Sequence, residues 1–138
     1  DVVMARLPKF ELMDIPFEAE LPDGKKSITF LARPYTAKAD YSAFKEFKTS
    51  VRLWTQKMAD DSRQITFYAT AMWLKTGKIP QDIELVCAGT EMTETGLTVT
   101  GEICRWPTKR TMVDVIKMCG QMRHAWHEIE EFCDSELL

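Results

Sequence analysis

The sequence has none of the motifs that commonly mark a catalytic or nucleotide-binding site. GxGxxG, GxSxG and HExxH are absent, and Lys75-Thr76-Gly77-Lys78 lacks the leading glycine of a phosphate-binding loop. The adjacent carboxylates Glu130 and Glu131 point to different faces of a predicted helix, so they do not form an acid–base pair. These absences favour a protein that acts by binding and not by catalysis, with no cofactor and no small-molecule substrate.

Long apolar runs and paired cysteines are also missing. No apolar stretch approaches the roughly 18 residues that span a bilayer. The first six residues lack the basic region and apolar stretch of a secretory signal peptide. The four cysteines include no CxxC pair, whereas secreted domains of this size use denser, closely spaced cysteines. We therefore expect reduced thiols in an intracellular protein.

Length and composition are those of one globular domain. The chain has 138 residues, of which 45% are apolar and 28% charged, enough to bury a core without metal or disulfide bonds. We expect a single domain over residues 1–138, with residues 1–10 as a flexible or partner-binding arm. Residues 1–80 hold 13 Lys/Arg against 10 Asp/Glu, and residues 81–138 hold 5 against 11. This asymmetry favours head-to-tail contact between copies, although ordinary surface solubility would also produce it.

Turn residues near the N-terminus predict a first hairpin. Pro16 breaks the segment Phe10–Glu20, which leaves room for short edge strands on either side of it. Pro22-Asp23-Gly24-Lys25 is a strong turn signal, and the β-rich segment Ser27–Ala32 follows it. The pattern places Lys25 and Lys26 at the exposed tip of the hairpin.

The middle of the chain predicts a helix followed by a strand. Apolar residues spaced by threes and fours predict an amphipathic helix over Tyr41–Met58, with Asp40 as its N-cap. The segment Ile65–Leu74 is rich in β-branched and aromatic residues and therefore predicts a strand, closed by Gly77 and Pro80.

The C-terminal part predicts two more strands and a long helix. Strands are predicted over Ile83–Ala88 and Leu97–Ile103, the second from its alternation and its turn at Thr95-Gly96. Thr108 or Thr111 can cap the last helix. The apolar stripe of that helix, interpreted as structural, comprises Met112, Val115, Ile116, Cys119, Met122, Trp126, Ile129 and Cys133. The order β-β-α-β-β-β-α predicts an α+β fold: an antiparallel sheet of short strands with two amphipathic helices packed on it, as one two-layer domain.

Metal-ligand residue types come close together only around His124 and His127. Histidines at i and i+3 share a helix face, but zinc requires a third and a fourth ligand, which the local sequence does not supply. A solvated helix face is therefore the favoured interpretation, and no metal is expected. A Cys–His nucleophilic site through Cys87 or Cys104 is a distant alternative, because both histidines lie beside a stripe that looks structural.

Basic residues of the N-terminal half are candidates for contact with an anionic surface. In the predicted helix over Tyr41–Met58, Lys45, Lys48 and Arg52 fall on one flank by their spacing. This flank, together with Lys25 and Lys26, could contact lipid headgroups or RNA. The alternative is a solvated face opposite the apolar stripe of the same helix.

Three features of Asp40–Trp106 resemble the globular core of rhabdovirus matrix proteins. They are a helix opening at Tyr41-Ser42, a strand from Phe67-Tyr68 to a Gly-Lys turn, and Gly101-Glu102 in a strand that ends at Trp106-Pro107. The resemblance covers about half of the chain. It implies a virion layer that self-associates, condenses the nucleocapsid and meets the inner face of the membrane. It also implies a partner-binding arm in Val2–Phe10, with Leu7, Pro8 and Phe10 as its anchors.

Two hypotheses follow for the function. The first is a non-enzymatic, self-associating viral matrix-type structural protein that links nucleocapsid and anionic membrane during virion assembly, in the host cytoplasm and the virion interior. The second is an intracellular adaptor or chaperone domain that binds a single protein partner through exposed Met and Trp side chains. The chain has no PPxY or PTAP-type budding motif and no strongly basic N-terminus, so a plant-infecting or divergent member of the family fits the resemblance better.

Overall fold

A computed structural model describes the backbone of residues 12–137 and the side chains up to residue 135. Its strands are β1 (Leu12–Met13), β2 (Phe17–Asp23), β3 (Lys26–Ala32), β4 (Thr36–Ala37), β5 (Ala43–Ser50), β6 (Asp82–Thr93) and β7 (Gly96–Thr108). Its helices are α1 (Gln56–Asp60), α2 (Arg63–Thr76) and α3 (Met112–Leu137).

The strands form a five-stranded sheet, ordered β1-β4-β5-β6-β7, and a separate hairpin of β2 and β3. All strand pairs in this part of the chain are antiparallel except β5 and β6, which run parallel and are joined through α1 and α2. The predicted α+β class is confirmed: two long helices pack against an open, mostly antiparallel sheet. The parallel pair was not predicted, because it requires a helical crossover exactly where the sequence indicated a strand.

The predicted helix over Tyr41–Met58 is wrong. Residues 43–50 form the central strand β5, and only the short helix α1 lies near the predicted end. Asp40 does not cap a helix: its Oδ1 accepts hydrogen bonds from the backbone N (3.0 Å) and Oγ (2.7 Å) of Ser42, a turn at the entrance of β5. Phe44 and Glu46 are buried on one face of the strand. Spacing by threes and fours favours a helix, but pairing with β4 and β6 on both sides makes this segment a strand.

The predicted strand over Ile65–Leu74 is also wrong, since these residues lie inside α2. Both ends of this helix carry local signals. The Ser62 side chain accepts from the N–H of Ile65 at 3.3 Å, and Gly77 ends the helix in the left-handed conformation with φ 81°. Ile65, Ala69 and Met72 are buried at helical spacing on one face. The capping residues Ser62 and Gly77 are signals from which the helix could have been predicted. The sequence prediction instead followed the β-propensity of the aromatic and β-branched residues between them.

The remaining predicted elements are confirmed. Gly24 and Lys25 form the turn between β2 and β3, Thr95-Gly96 lies at the turn between β6 and β7, and the last helix begins at Met112. Thr111 caps this helix: its Oγ1 accepts from the N–H of Asp114, whose carboxylate in turn accepts from the backbone N of Thr111 at 2.7 Å.

Two apolar clusters hold the layers together. The larger lies between α2 and the sheet, with Phe44, Ile65, Met72 and Leu85 fully buried. The smaller joins the hairpin of β2 and β3 to the start of α3, with Leu21, Ile28, Val115 and Cys119 at its centre. In this cluster, α3 contributes residues from Val115 to Met122, so its apolar anchoring lies in the N-terminal part of the helix.

Candidate functional site

The later part of α3 exposes a row of large apolar side chains. Trp126, Ile129 and Phe132 are 40%, 52% and 64% exposed, whereas Val115 near the start of the same helix is fully buried. Residues 126–135 are called here the outer half of α3. The outer half contains four carboxylates and no lysine or arginine, the carboxylates being those of Glu128, Glu130, Glu131 and Asp134.

The exposed row continues the buried face of α3. Trp126, Ile129 and Cys133 follow Cys119 and Met122 at intervals of three and four residues, which keeps them on one face of the helix. The sequence predicted this whole stripe as structural. That prediction is correct for Val115 and Cys119, which are buried, and wrong for the exposed members of the stripe: Met112, Ile116, Trp126 and Ile129.

The tip of the β2–β3 hairpin holds the middle of α3 in place. Arg123 Nε donates to the carbonyl oxygen of Pro22 at 2.9 Å, and His127 Nε2 lies 3.0 Å from an Asp23 carboxylate oxygen. The sequence did not reveal these contacts, since about a hundred residues separate the partners. They fix the direction in which the outer half leaves the body of the protein.

Asp23, His127 and Glu130 bring three groups that can ligate a metal within 4.8 Å of one another. The two carboxylates face opposite nitrogens of the imidazole, with Asp23 at Nε2 and Glu130 4.0 Å from Nδ1. The three side chains supply at most three ligands, one fewer than a four-coordinate structural zinc site has, and exposed acidic groups commonly lie this close without a metal. For the other predicted candidate, His124, Nε2 lies 3.0 Å from a Glu128 carboxylate oxygen. These contacts are ordinary polar pairs within α3 and between α3 and the hairpin.

A basic groove lies at the opposite end of α3. It has a volume of about 600 Å³ and is lined chiefly by Trp73, Lys78, Ile79, Pro80, Lys109 and Met112. It forms where α2 gives way to β6 and β7 gives way to α3, so its residues come from two distant segments of the chain. Lys78 and Lys109 are exposed, and neither makes an ion pair within the described residues.

Arg110 also lines this groove, but its guanidinium is buried and fixed. It donates five hydrogen bonds of 2.7–3.1 Å, to the hydroxyl oxygens of Thr66 and Thr108 and to the carbonyl oxygens of Ala59, Ser62 and Lys109. Burial lowers the pKa of Arg110, and the nearby charges of Asp114, Asp60 and Asp61 oppose that shift. Arg110 therefore joins the α1–α2 junction to the start of α3 and holds the wall of the groove.

Exposed apolar residues also occur outside the groove. Met112 lies in the groove wall, and Val113 and Ile116 are exposed on the adjoining turn. A second exposed apolar patch lies on the ribbon formed by β6 and β7 beyond Gly89, where β5 no longer pairs with β6. Met92 and Leu97 face each other across this ribbon, and both are exposed.

The predicted anionic-surface residues do not form one flank. Lys45 and Lys48 lie in β5, and Arg52 lies beyond its end. Lys45 Nζ pairs with Glu84 at 2.9 Å, and Lys48 Nζ lies 5.8 Å from the ring centroid of Trp54. The predicted helix flank is therefore wrong, since Lys45 and Lys48 are in a strand and Arg52 follows it, and the charge of Lys45 is compensated by Glu84.

Lys25 and Lys26 are exposed at the hairpin tip, as predicted. The predicted anchors of self-association, Leu7, Pro8 and Phe10, lie outside the described residues. All four cysteines are free thiols, of which Cys87 and Cys119 are buried.

Within the described part of the chain, no helix combines the length and the apolar character needed to cross a bilayer. Comparison with protein-family models, curated proteins and solved structures gave no match to this chain.

Proposed function

We propose that the chain is a non-enzymatic, self-associating structural protein. The exposed apolar face of the outer half of α3 is the observation that carries this proposal. Burial of a large apolar side chain is worth about 1.5–3 kcal/mol, so covering Ile129, Phe132 and part of Trp126 would supply a substantial share of an interface. An amphipathic helix whose face is left open along its outer turns is a feature expected of an assembling protein.

The specific role that we propose is that of a viral matrix-type layer linking nucleocapsid and membrane. Its support is the uneven charge of the chain and the part of the resemblance that remains: Gly101-Glu102 lies in β7, which ends just beyond Trp106-Pro107. The other two features of the resemblance lose their support. The segment after Tyr41-Ser42 is a strand and not a helix, and Phe67-Tyr68 lies in a helix and not in a strand. Contact with an anionic surface would use Lys25, Lys26 and Arg52, which are all exposed.

A second candidate function is that of an adaptor that binds one protein partner. The observation in its favour is the β6–β7 ribbon, where Met92 and Leu97 form an exposed cross-strand apolar pair. Flexible methionine side chains suit adaptable protein-binding surfaces.

Light scattering across protein concentration, at low and high salt, tests the proposal. The proposed function predicts that the mass in solution increases with protein concentration. It also predicts that the double variant Ile129→Ser/Phe132→Ser reduces this increase. Leu31→Ser is a matched control, since Leu31 is 64% exposed like Phe132 but lies on the hairpin. A separate deletion of residues 1–9 tests the predicted arm. A monomer under all conditions would refute self-association and favour the adaptor.

A further inference from the structure

We infer, on the basis of the self-association proposed above, that the outer half of α3 from one copy occupies the basic groove of a second copy. The two surfaces are complementary in charge. Four carboxylates without a lysine or arginine flank the apolar row of the outer half, whereas Lys78 and Lys109 border the groove. Opposite charges around an apolar contact favour correct pairing and speed the encounter.

The two surfaces are also complementary in apolar character. Ile129 and Phe132 provide exposed apolar knobs on the outer half. The groove offers Trp73, Ile79 and Pro80 below them, and a volume of about 600 Å³ gives room for large side chains.

The position of the two surfaces requires the contact to be between copies. Met112 at the groove and Trp126 at the start of the outer half lie on one rigid helix, about 21 Å apart at 1.5 Å per residue. A copy therefore cannot insert its own outer half into its own groove. Each copy offers one outer half and one groove. The contact therefore either closes as a reciprocal two-fold dimer or repeats from copy to copy, giving a ring or an open filament.

Symmetric pairing of two outer halves is the competing arrangement. Such pairing would bring the four carboxylates of one copy against the same four of the other. Like charges across an interface or along a helix pair oppose association. The acidic flanks therefore favour the groove over a second outer half as the site that receives α3.

Two surface variants test this arrangement. Lys78→Glu/Lys109→Glu is the groove variant, and Ile129→Ser/Phe132→Ser is the helix variant. Each is expected to weaken association by about tenfold or more, since each disrupts one side of every contact. Lys38→Glu/Lys57→Glu, which changes the net charge equally at exposed sites away from the groove lining, is the control for the groove variant, and Leu31→Ser is the control for the helix variant. Circular dichroism checks that all variants are folded.

The decisive measurement is the mass of an equimolar mixture of the two variants. The groove variant has an unaltered outer half, and the helix variant has an unaltered groove that can receive it. The remaining groove and outer half of this pair are both mutated, so the mixture is expected to form a 1:1 complex that does not add further copies. Restoring charge complementarity by adding Glu130→Lys/Glu131→Lys to the groove variant is expected to recover growth.

The outcomes separate this inference from the proposed function. Wild-type protein that stays monomeric at every concentration refutes self-association itself. If the mass of the wild type and that of the groove variant increase equally with concentration, self-association stands and the groove is refuted as its site. Loss of association in both variants with no complex in their mixture indicates symmetric pairing of α3, which also refutes the groove.

Discussion

Replacement of Arg110 by methionine is expected to destabilise the fold strongly. The guanidinium lies between the α1–α2 junction, the end of β7 and the start of α3, and it donates five hydrogen bonds. Methionine preserves much of the apolar stem and removes every donor. The variant therefore isolates the contribution of the guanidinium from that of side-chain volume.

The expected loss follows from two opposing terms. Hydrogen bonds from a charged donor contribute about 1.5–3 kcal/mol each, but burial of a guanidinium costs several kcal/mol, which the variant recovers. Several acceptors also keep another partner: the Ser62 carbonyl oxygen still accepts from Thr66, and Thr108 Oγ1 still donates to Asp60. The net decrease in the free energy of unfolding is therefore expected to be about 2–4 kcal/mol.

Urea unfolding followed by tryptophan fluorescence measures this loss. Arg52→Met is the matched control, because Arg52 is exposed beyond the end of β5, and its substitution is expected to change stability by less than about 0.5 kcal/mol. Arg110→Met with stability within about 1 kcal/mol of wild type would show that the hydrogen bonds only offset the desolvation of the guanidinium.

Three further substitutions are expected to change stability in opposite directions. Gly120→Ala should raise the free energy of unfolding by about 0.5–1 kcal/mol, because a Cβ at this position in α3 meets no atom within 4 Å. Burial raises the pKa of Glu46, and its Oε2 has no hydrogen-bond partner in the described chain, so Glu46→Gln should stabilise by about 1–2 kcal/mol at neutral pH. A hydrogen bond from the Thr111 backbone N lowers the pKa of Asp114, so Asp114→Asn should cost about 0.5–1 kcal/mol at neutral pH.

Thermal and urea unfolding across pH distinguish these effects by sign. The pKa of Glu46 is higher in the folded protein than in the unfolded chain, so ionisation of Glu46 destabilises the native state as pH rises through these two pKa values. At about pH 4 and below Glu46 is protonated in both states, and the stability advantage of Glu46→Gln should vanish there. The lowered pKa of Asp114 means that its contribution is lost as pH falls through the folded value, so the cost of Asp114→Asn should vanish in acid. If the stability difference between wild type and Glu46→Gln, or between wild type and Asp114→Asn, does not change with pH, the effect assigned to ionisation of that residue is contradicted. Destabilisation by Gly120→Ala would indicate a contact at Gly120 that the structure does not show.

Local residue chemistry made several elements predictable. The turn at Gly24-Lys25, the turn at Thr95-Gly96 and the helix beginning after Thr111 are each specified by a few neighbouring residues. The α+β class was predicted from the order β-β-α-β-β-β-α, and it is correct although one helix and one strand in that order are exchanged. The exchange of helix and strand between Ala43–Ser50 and Arg63–Thr76 shows where local reasoning failed. Phe44 and Phe47 share one face of a helix but lie on opposite faces of β5, and the contacts that decide for the strand are with β4 and β6. For the second segment, Ser62 and Gly77 carried the correct signal against the propensity of the residues between them.

By itself, the sequence determined which residues of α3 share one face, because the 3.6-residue period of a helix is a property of the local backbone. Only the tertiary structure decided that Val115 and Cys119 are covered while Ile129 and Phe132 are exposed, since coverage depends on where the hairpin of β2 and β3 ends. The basic groove was likewise beyond sequence reasoning. Its walls come from Trp73–Gln81 and Lys109–Met112, and the packing of α2 against the start of α3 brings these two segments together.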